Sequence, residues 1–307
     1  MKKVDNVIQS DRGALLCTAL GVVGFSGTLP ATRLAAPHLG AIQVGLGRAL
    51  VAALCGAVWL LSSRARRPSR NQCKRLLLVS LGVVVGFPWL SAWALTYTSA
   101  GRASVIVAII PLLTAIVSSW REGTRQSLRF WIGSSFGTAC VLGYLTMTGS
   151  TDAVPASVGK LPELALALAA CCAALGYTEG ARLTKELGGL NVISWALLLS
   201  VPLVLPLVLS QGPLPSHVPI SAWLGLIYVS LISMFIAFYF WYSGLSRAGV
   251  ARASQVQLMQ PLLSVLWAVI VLGESFSMAL ALTAVCVLGA IVLVIKPSAA
   301  VRGGAGN

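Results

Sequence analysis

The chain has 307 residues, of which 57% are hydrophobic and only 10% charged, with a mean hydropathy of +0.87. A water-soluble globule carries about 25% charged residues, so these figures exclude a soluble globular domain, a disordered chain and a collagen-like one, and they make lipid the solvent for most of the sequence. The formal net charge of +14, from 22 Lys and Arg against 8 Asp and Glu, would in a soluble protein point to nucleic acid; here the placement of those charges points to a membrane and to no nucleic-acid partner.

Apolar stretches of about 17 to 25 residues predict transmembrane helices. The first, 13–29, follows Lys2 and Lys3, but Asp5 and Asp11 interrupt the basic region and no small-x-small cleavage site precedes Pro30. It is read as a retained helix, not a signal peptide. The second, 42–62, contains Arg48, about 9 Å from the outer edge at 1.5 Å per residue and within snorkelling reach of the interface. The third, 76–97, carries Trp89 and Trp93 at i and i+4 after Pro88; the fourth, 103–119, has Pro111 at its centre. The fifth covers 130–148. In the sixth, 161–183, Glu179 stands within a turn of Arg182, which predicts an interfacial ion pair, with a proton relay as the alternative. The seventh covers 191–210, and the eighth, 222–243, has Ser233 near its middle and Tyr239 beyond it. The ninth, 253–271, presents Gln257, Gln260 and Ser264 at i, i+3 and i+7 on one face, with Pro261 near its centre and Gln255 towards the interface. The tenth covers 278–295. About two thirds of the chain is thus assigned to ten spans, and no connection is long enough to fold as a domain.

Lys and Arg alternate sharply between loops. Arg33, Arg102 and Lys160 fall on one side and Arg48 inside a span; all the others of the 22 fall on the opposite side. The positive-inside rule then places both termini in the cytoplasm. The seven cysteines lie almost entirely inside apolar runs, without metal-ligand spacing, and no cofactor motif is present.

The two halves repeat. Arg102-Ala103-Ser104, six residues and Pro111-Leu112-Leu113 recur 150 positions later as Arg252-Ala253-Ser254, six residues and Pro261-Leu262-Leu263. At the same offset Leu95 meets Leu245 and Trp89 meets Tyr239. At 152, Gly24-Phe25-Ser26 meets Gly176-Tyr177-Thr178 and Glu122 meets Glu274. Each unit, 1–150 and 151–307, has an odd number of spans, so the second must enter from the opposite side of the membrane. The predicted fold is an all-α integral membrane protein of ten transmembrane helices in two inverted five-helix repeats, an architecture typical of carriers with a central site.

The Ala-Ser, x6, Pro-Leu-Leu helices followed by a short Glu-bearing loop, Arg48 opening a Leu/Ala-rich helix, and the stretch Gly-Phe-Ser-Gly-Thr-Leu-Pro-Ala-Thr-Arg at 24–33 resemble the EamA repeats of the drug/metabolite transporter superfamily, in particular its amino-acid exporters. The resemblance covers 13–296. It departs at Glu122, which lies between Arg121 and Gly123 where the second repeat has Gly273-Glu274. It implies a carrier of amino acids, metabolites, sugars or drugs, functional as a monomer in a bacterial inner membrane.

The predicted substrate site gathers the midplane groups. Proline in a lipid-embedded helix frees a carbonyl that a neighbour, water or substrate must satisfy, so Pro111 and Pro261 mark two symmetry-related breaks. Gln257, Gln260, Ser264 and Ser233 supply amides and hydroxyls, and Trp89, Trp93 and Tyr239 large rings. Packing kinks and interhelical hydrogen bonds are the structural alternative for these residues. A cavity of this make-up without fixed charge suits a small neutral or zwitterionic solute such as an amino acid. With no midplane Asp, Glu or His, facilitated export or uniport is expected, and multidrug or metabolite efflux by proton antiport through Glu179 is the alternative. A channel is a weaker rival. An intramembrane serine protease built on Gly24-Phe25-Ser26-Gly27 would need a histidine, and His38 and His217 are both expected in external loops.

Overall fold

The computed structural model describes residues 11–98, 103, 106–123, 126–148, 159–272 and 278–295. Among them every regular element is helical. The first half comprises α1 (Asp11–Ser26), α2 (Thr28–Leu39), α3 (Ala41–Gly45), α4 (Gly47–Ser62), α5 (Arg70–Val79), a π-helical segment (Ser80–Gly86), α6 (Phe87–Tyr97), α7 (Ile110–Glu122) and α8 (Leu128–Thr148). The second comprises α9 (Leu161–Leu187), α10 (Gly189–Leu209), α11 (Ile220–Ile227), a π-helical segment (Tyr228–Ile236), α12 (Ala237–Ala248), α13 (Val250–Ser254), a 3-10 turn (Gln255–Met259), α14 (Gln260–Leu272) and α15 (Met278–Ile295).

All ten predicted stretches contain helix. Six runs are long and apolar enough to cross a membrane: Gly13–Leu39, Ala41–Ser62, Arg70–Tyr97, Leu161–Leu187, Gly189–Leu209 and Ile220–Ala248. The first runs past the predicted end at 29. Pro30 falls in the first turn of α2, where its missing N–H is tolerated, so it does not end the span. His38 is consequently in the last turn of α2, not in a loop as expected. Arg102, Ser104, the Gly273-Glu274 pair, the 150/151 boundary and both chain ends lie outside the described residues.

The halves match in backbone detail that sequence does not reveal. The two π-helical segments end at Gly86 and Ile236, 150 positions apart. The first and second spans are joined at Gly40 (φ 87) and the sixth and seventh at Gly188 (φ 87), a left-handed conformation that strains any residue with a Cβ. Both midspan prolines follow non-α backbone: a turn at Ala108 and Ile109 precedes α7, and the 3-10 turn precedes α14. Proline cannot donate to the carbonyl four residues back and crowds it, so the preceding turn is rewound in each repeat.

Repeat mates run antiparallel. Gln43 Nε2, near the start of the second span, donates to the Val208 carbonyl near the end of α10 at 3.4 Å, while Trp59 Nε1, near the end of α4, donates to Asn191 near the start of α10 at 2.9 Å. In α8 a Cβ on Gly133 would meet Val294, and one on Gly137 would meet Ala290, both on α15, again in opposite directions. Between the repeats α1 packs on α12, and α9 on α5, α6 and the π-helical segment joining them. Gly24 fits against Ala237, and its mate Gly176 against Val83. The interior is sealed by an aromatic cluster in which Phe25 meets Phe238 edge-on at 4.9 Å and Tyr177 meets Trp241 at 5.2 Å. Leu54, Val58, Leu61, Leu164 and Leu282 point outward and are exposed, as a lipid-facing surface requires.

Candidate functional site

A small pocket lies where the two halves meet. Phe25 and Thr28 come from the first span, Arg48 from α4, Val83, Phe87 and Pro88 from the third, and Ile110 from α7. The second half supplies Tyr177, Ser233, Met234, Phe238, Gln257 and Gln260. Four pairs in this lining are repeat mates: Phe25 with Tyr177, Val83 with Ser233, Pro88 with Phe238, and Ile110 with Gln260. The pocket therefore straddles the pseudo-twofold relation between the halves. A smaller adjoining space shares Ile110, Gln257 and Gln260 and adds Pro261 and Ser264.

Of the residues predicted from sequence, Ser233, Gln257, Gln260, Pro261 and Ser264 are brought together here. Gln257 Nε2 donates to Gln260 Oε1 at 2.9 Å, as their i, i+3 spacing allows. Gln257 is 3% exposed, and its Oε1 has no hydrogen-bond partner. Ser233 Oγ lies 2.8 Å from Thr28 Oγ1, tying the eighth span to the first. The Ser264 hydroxyl donates to the Ser26 carbonyl at 2.6 Å. That carbonyl would normally receive the N–H four residues on, which in this helix is Pro30 and is absent; a hydroxyl from another helix replaces it.

Trp89, Trp93, Pro111 and Tyr239 stand off the pocket. Trp89 is 41% exposed, Trp93 packs partly buried against the main core and leans on Tyr97 at 5.2 Å, and Tyr239 meets Phe240 at a tilt with ring centroids 5.1 Å apart. The π-helical segments explain the first and last of these. A π-turn holds one more residue than an α-turn, so the helix beyond it is rotated by about 100°. The rotation turns Trp89 and its mate Tyr239 away together and brings Pro88 and Phe238 inward. Pro111 is buried, and its carbonyl accepts from Gln255 Nε2 at 3.2 Å. Gln255, expected near the interface, is fully buried and also accepts from Ser134 Oγ at 2.7 Å through Oε1. It stitches the fourth, fifth and ninth spans together.

Arg48 departs furthest from expectation. It does not snorkel: it is 2% exposed and lines the pocket. Its Nε has no hydrogen-bond partner, and among the described residues no ion pair reaches the guanidinium. The preceding chain accounts for this. Because the second span restarts at Gly40, the helix begins near one face of the bundle, and Arg48 falls two turns inside it on the side packed against α10, where Ala49, Ala52 and Gly56 are also buried. Small neighbours leave room for the long side chain to line the pocket.

Glu179 lies apart from the pocket lining, at the basic end of the bundle. It is 1% exposed and accepts from Arg75 Nε and from Arg121 Nη2 at 2.6 Å, with Arg182 Nη1 at 3.7 Å. Arg75 also reaches Glu186 at 2.6 Å, and Gln72 donates to Glu186 at 2.8 Å. The expected pair with Arg182 is the loosest member of a cluster that joins the third, fourth and sixth spans. Ser26 Oγ donates to the Val23 carbonyl at 2.7 Å and accepts from Trp267 Nε1 at 2.8 Å. His38 is three helical turns further along the chain, so the serine has no base beside it.

Comparison with known proteins agrees with this arrangement. The EamA-like transporter family matches the chain twice, over residues 12–146 and 160–296. Over 270 residues the chain is 38% identical to YdeK of Bacillus subtilis (strain 168), described as an uncharacterized transporter, covering 88% of this chain and 92% of that one. It is 22% identical over 263 residues to a Streptantibioticus cattleyicolor protein named a probable terminal-alkyne amino-acid exporter, covering 85% of this chain and 86% of that one. One solved crystal structure superposes with a TM-score of 0.73 at 20% identity, over 92% of this chain and 97% of the other, which is a likeness of fold.

Proposed function

The chain belongs to the EamA-like transporter family, and from that premise we propose that it is a secondary carrier moving a small zwitterionic or neutral organic solute, amino acids first among them, across a bacterial inner membrane. The ten helical stretches form two inverted five-helix repeats, both ends of the chain and the basic face of the bundle are cytoplasmic, and transport is facilitated export or uniport by alternating access.

The observation that carries this reading is the pocket built from repeat mates. A site on the pseudo-twofold relation is equidistant from two equivalent gates, so closing one repeat over it while the other opens needs no movement of the site itself. At the basic end the gate is the Glu179 cluster. At the opposite end Arg33 Nη1 donates to the Leu95 carbonyl at 2.6 Å, tying the first span to the third.

The test is counterflow in reconstituted vesicles with a panel of labelled solutes. A carrier gives saturable flux that rises when unlabelled solute is loaded on the far side. Flux that is linear in concentration and indifferent to trans solute identifies a pore and overturns the proposal. Proton antiport is a second reading, favoured by the burial of Glu179 alone; abolition of the pH dependence of transport in Glu179→Gln would establish it over uniport.

A further inference from the structure

We propose that Arg48 and Gln257 form a two-point receptor for the zwitterionic end of an α-amino acid, Arg48 taking the carboxylate and Gln257 Oε1 the ammonium. This rests on the carrier reading and narrows the solute. Both residues line the same pocket, and both are left incomplete by the protein. Among the described residues Arg48 is buried without a counterion and the Gln257 carbonyl oxygen without a donor.

An isolated charge in a low-dielectric interior is expensive, and a buried cation is ordinarily paired. Among the described residues no carboxylate supplies the pair. Glu179, the carboxylate within the sixth span, is already held by Arg75, Arg121 and Arg182. Tyr177 lines the same pocket as both groups. A guanidinium offers parallel N–H donors matched to a carboxylate. An orphaned amide oxygen accepts from an ammonium, and the faces of Phe25, Tyr177 and Phe238 attract the same cation.

The polar groups also break the symmetry of the pocket. Gln257 corresponds to Val107 and, counted from the joints at Gly40 and Gly188, Arg48 to Ala196 in the other repeat, so each has an apolar counterpart. The solute is therefore held in one orientation in both access states. A zwitterion with net charge zero satisfies both groups at once; a simple carboxylic acid or a simple amine satisfies one and leaves the other buried and bare.

The experiment is calorimetric titration of the purified full chain in detergent with each of the twenty L-amino acids, and, for those that bind, with the methyl ester and the deaminated acid of the same side chain. The expected result is that the free amino acid binds more tightly than either analogue by on the order of 10- to 100-fold, the range for a charged hydrogen bond. Arg48→Gln is expected to bring the amino acid down to the affinity of its ester, with Arg48→Lys recovering part of the difference. Gln257→Leu brings it down to the deaminated acid. An ester that binds as well as the free amino acid, an Arg48→Gln variant that keeps the preference, or no binding by any of the twenty overturns the receptor. Saturable, trans-stimulated flux of a solute without a carboxylate, beside absent amino-acid binding, overturns the receptor and leaves the carrier standing. No saturable flux for any solute removes the carrier as well.

Discussion

Gln260 and Glu179 make polar contacts of two different kinds. Gln260 accepts from Gln257 at 2.9 Å and borders both parts of the pocket. Truncating it strips the wall without opening a core cavity, because it is only partly buried. Gln260→Ala is expected to lower transport efficiency about tenfold, the worth of one hydrogen bond of about 1 kcal/mol or somewhat more, with expression intact; initial rates in vesicles measure this, and wild-type kinetics would remove Gln260 from the site. Glu179 is different, since its carboxylate joins three helices. Glu179→Gln is expected to cost about 3 kcal/mol, the lower end for removing one partner of a buried pair, because Arg75 and Arg121 remain 23% and 29% exposed. A fall in thermal midpoint in detergent reports it, and on the uniport reading the pH profile of residual transport is unchanged.

Among the elements, close approach depends on glycine at a few crossings. A Cβ on Gly82 would come within 2.6 Å of the Cys172 carbonyl oxygen, a backbone atom that cannot swing aside. Gly82→Ala is therefore expected to destabilise by about 1–3 kcal/mol, as overpacking does, and to loosen the contact between the third and sixth spans. Gly143, in α8, has nothing within 4 Å of its would-be Cβ; Gly143→Ala is expected to be neutral or stabilising by up to about 1 kcal/mol through helix propensity. Thermal unfolding of the two variants side by side checks the contrast, and equal shifts would show that helix propensity and not crossing distance governs these positions. The small-residue spacing at Gly82/Gly86 and Gly133/Gly137 was legible in the sequence, but its partners were not: the first pair serves α9 and the second α15 and Leu258.

For the whole molecule, the basic face defines the orientation. Arg64, Arg66, Arg67 and Arg70 share the connection between the second and third spans, next to the cluster around Glu179, whereas Gln211 lies just beyond the opposite end of α10. In a cysteine-free background, Gln211→Cys is expected to react with an impermeant maleimide on intact cells and Arg66→Cys only after permeabilisation. Reaction of both from outside, or the reverse pattern, would contradict the cytoplasmic assignment of the basic face. On the proposed carrier reading two gates share one pocket, so a variant that weakens the Glu179 cluster is expected to shift the balance of access towards the basic end without altering the pocket.

The sequence alone determined the solvent, the helical class, the repeat and five residues of the pocket lining. Composition forces apolar residues into lipid, and a 150-residue offset survives in Pro111 and Pro261 because each proline marks a break that the fold retains. Gln257, Gln260 and Ser264 were legible because a single helix face fixes their relation within a turn or two. Tertiary structure decided the rest. Whether Arg48 turns out to the interface or in to the pocket depends on which helices surround it, and a hydropathy window sees only its depth. Trp89 and Pro88 exchange faces because one π-turn adds a residue, a change of about 100° that leaves no mark in composition or spacing. Depth in a membrane is a property of position along the chain; facing is a property of the neighbours, which are set by contacts between residues far apart in sequence.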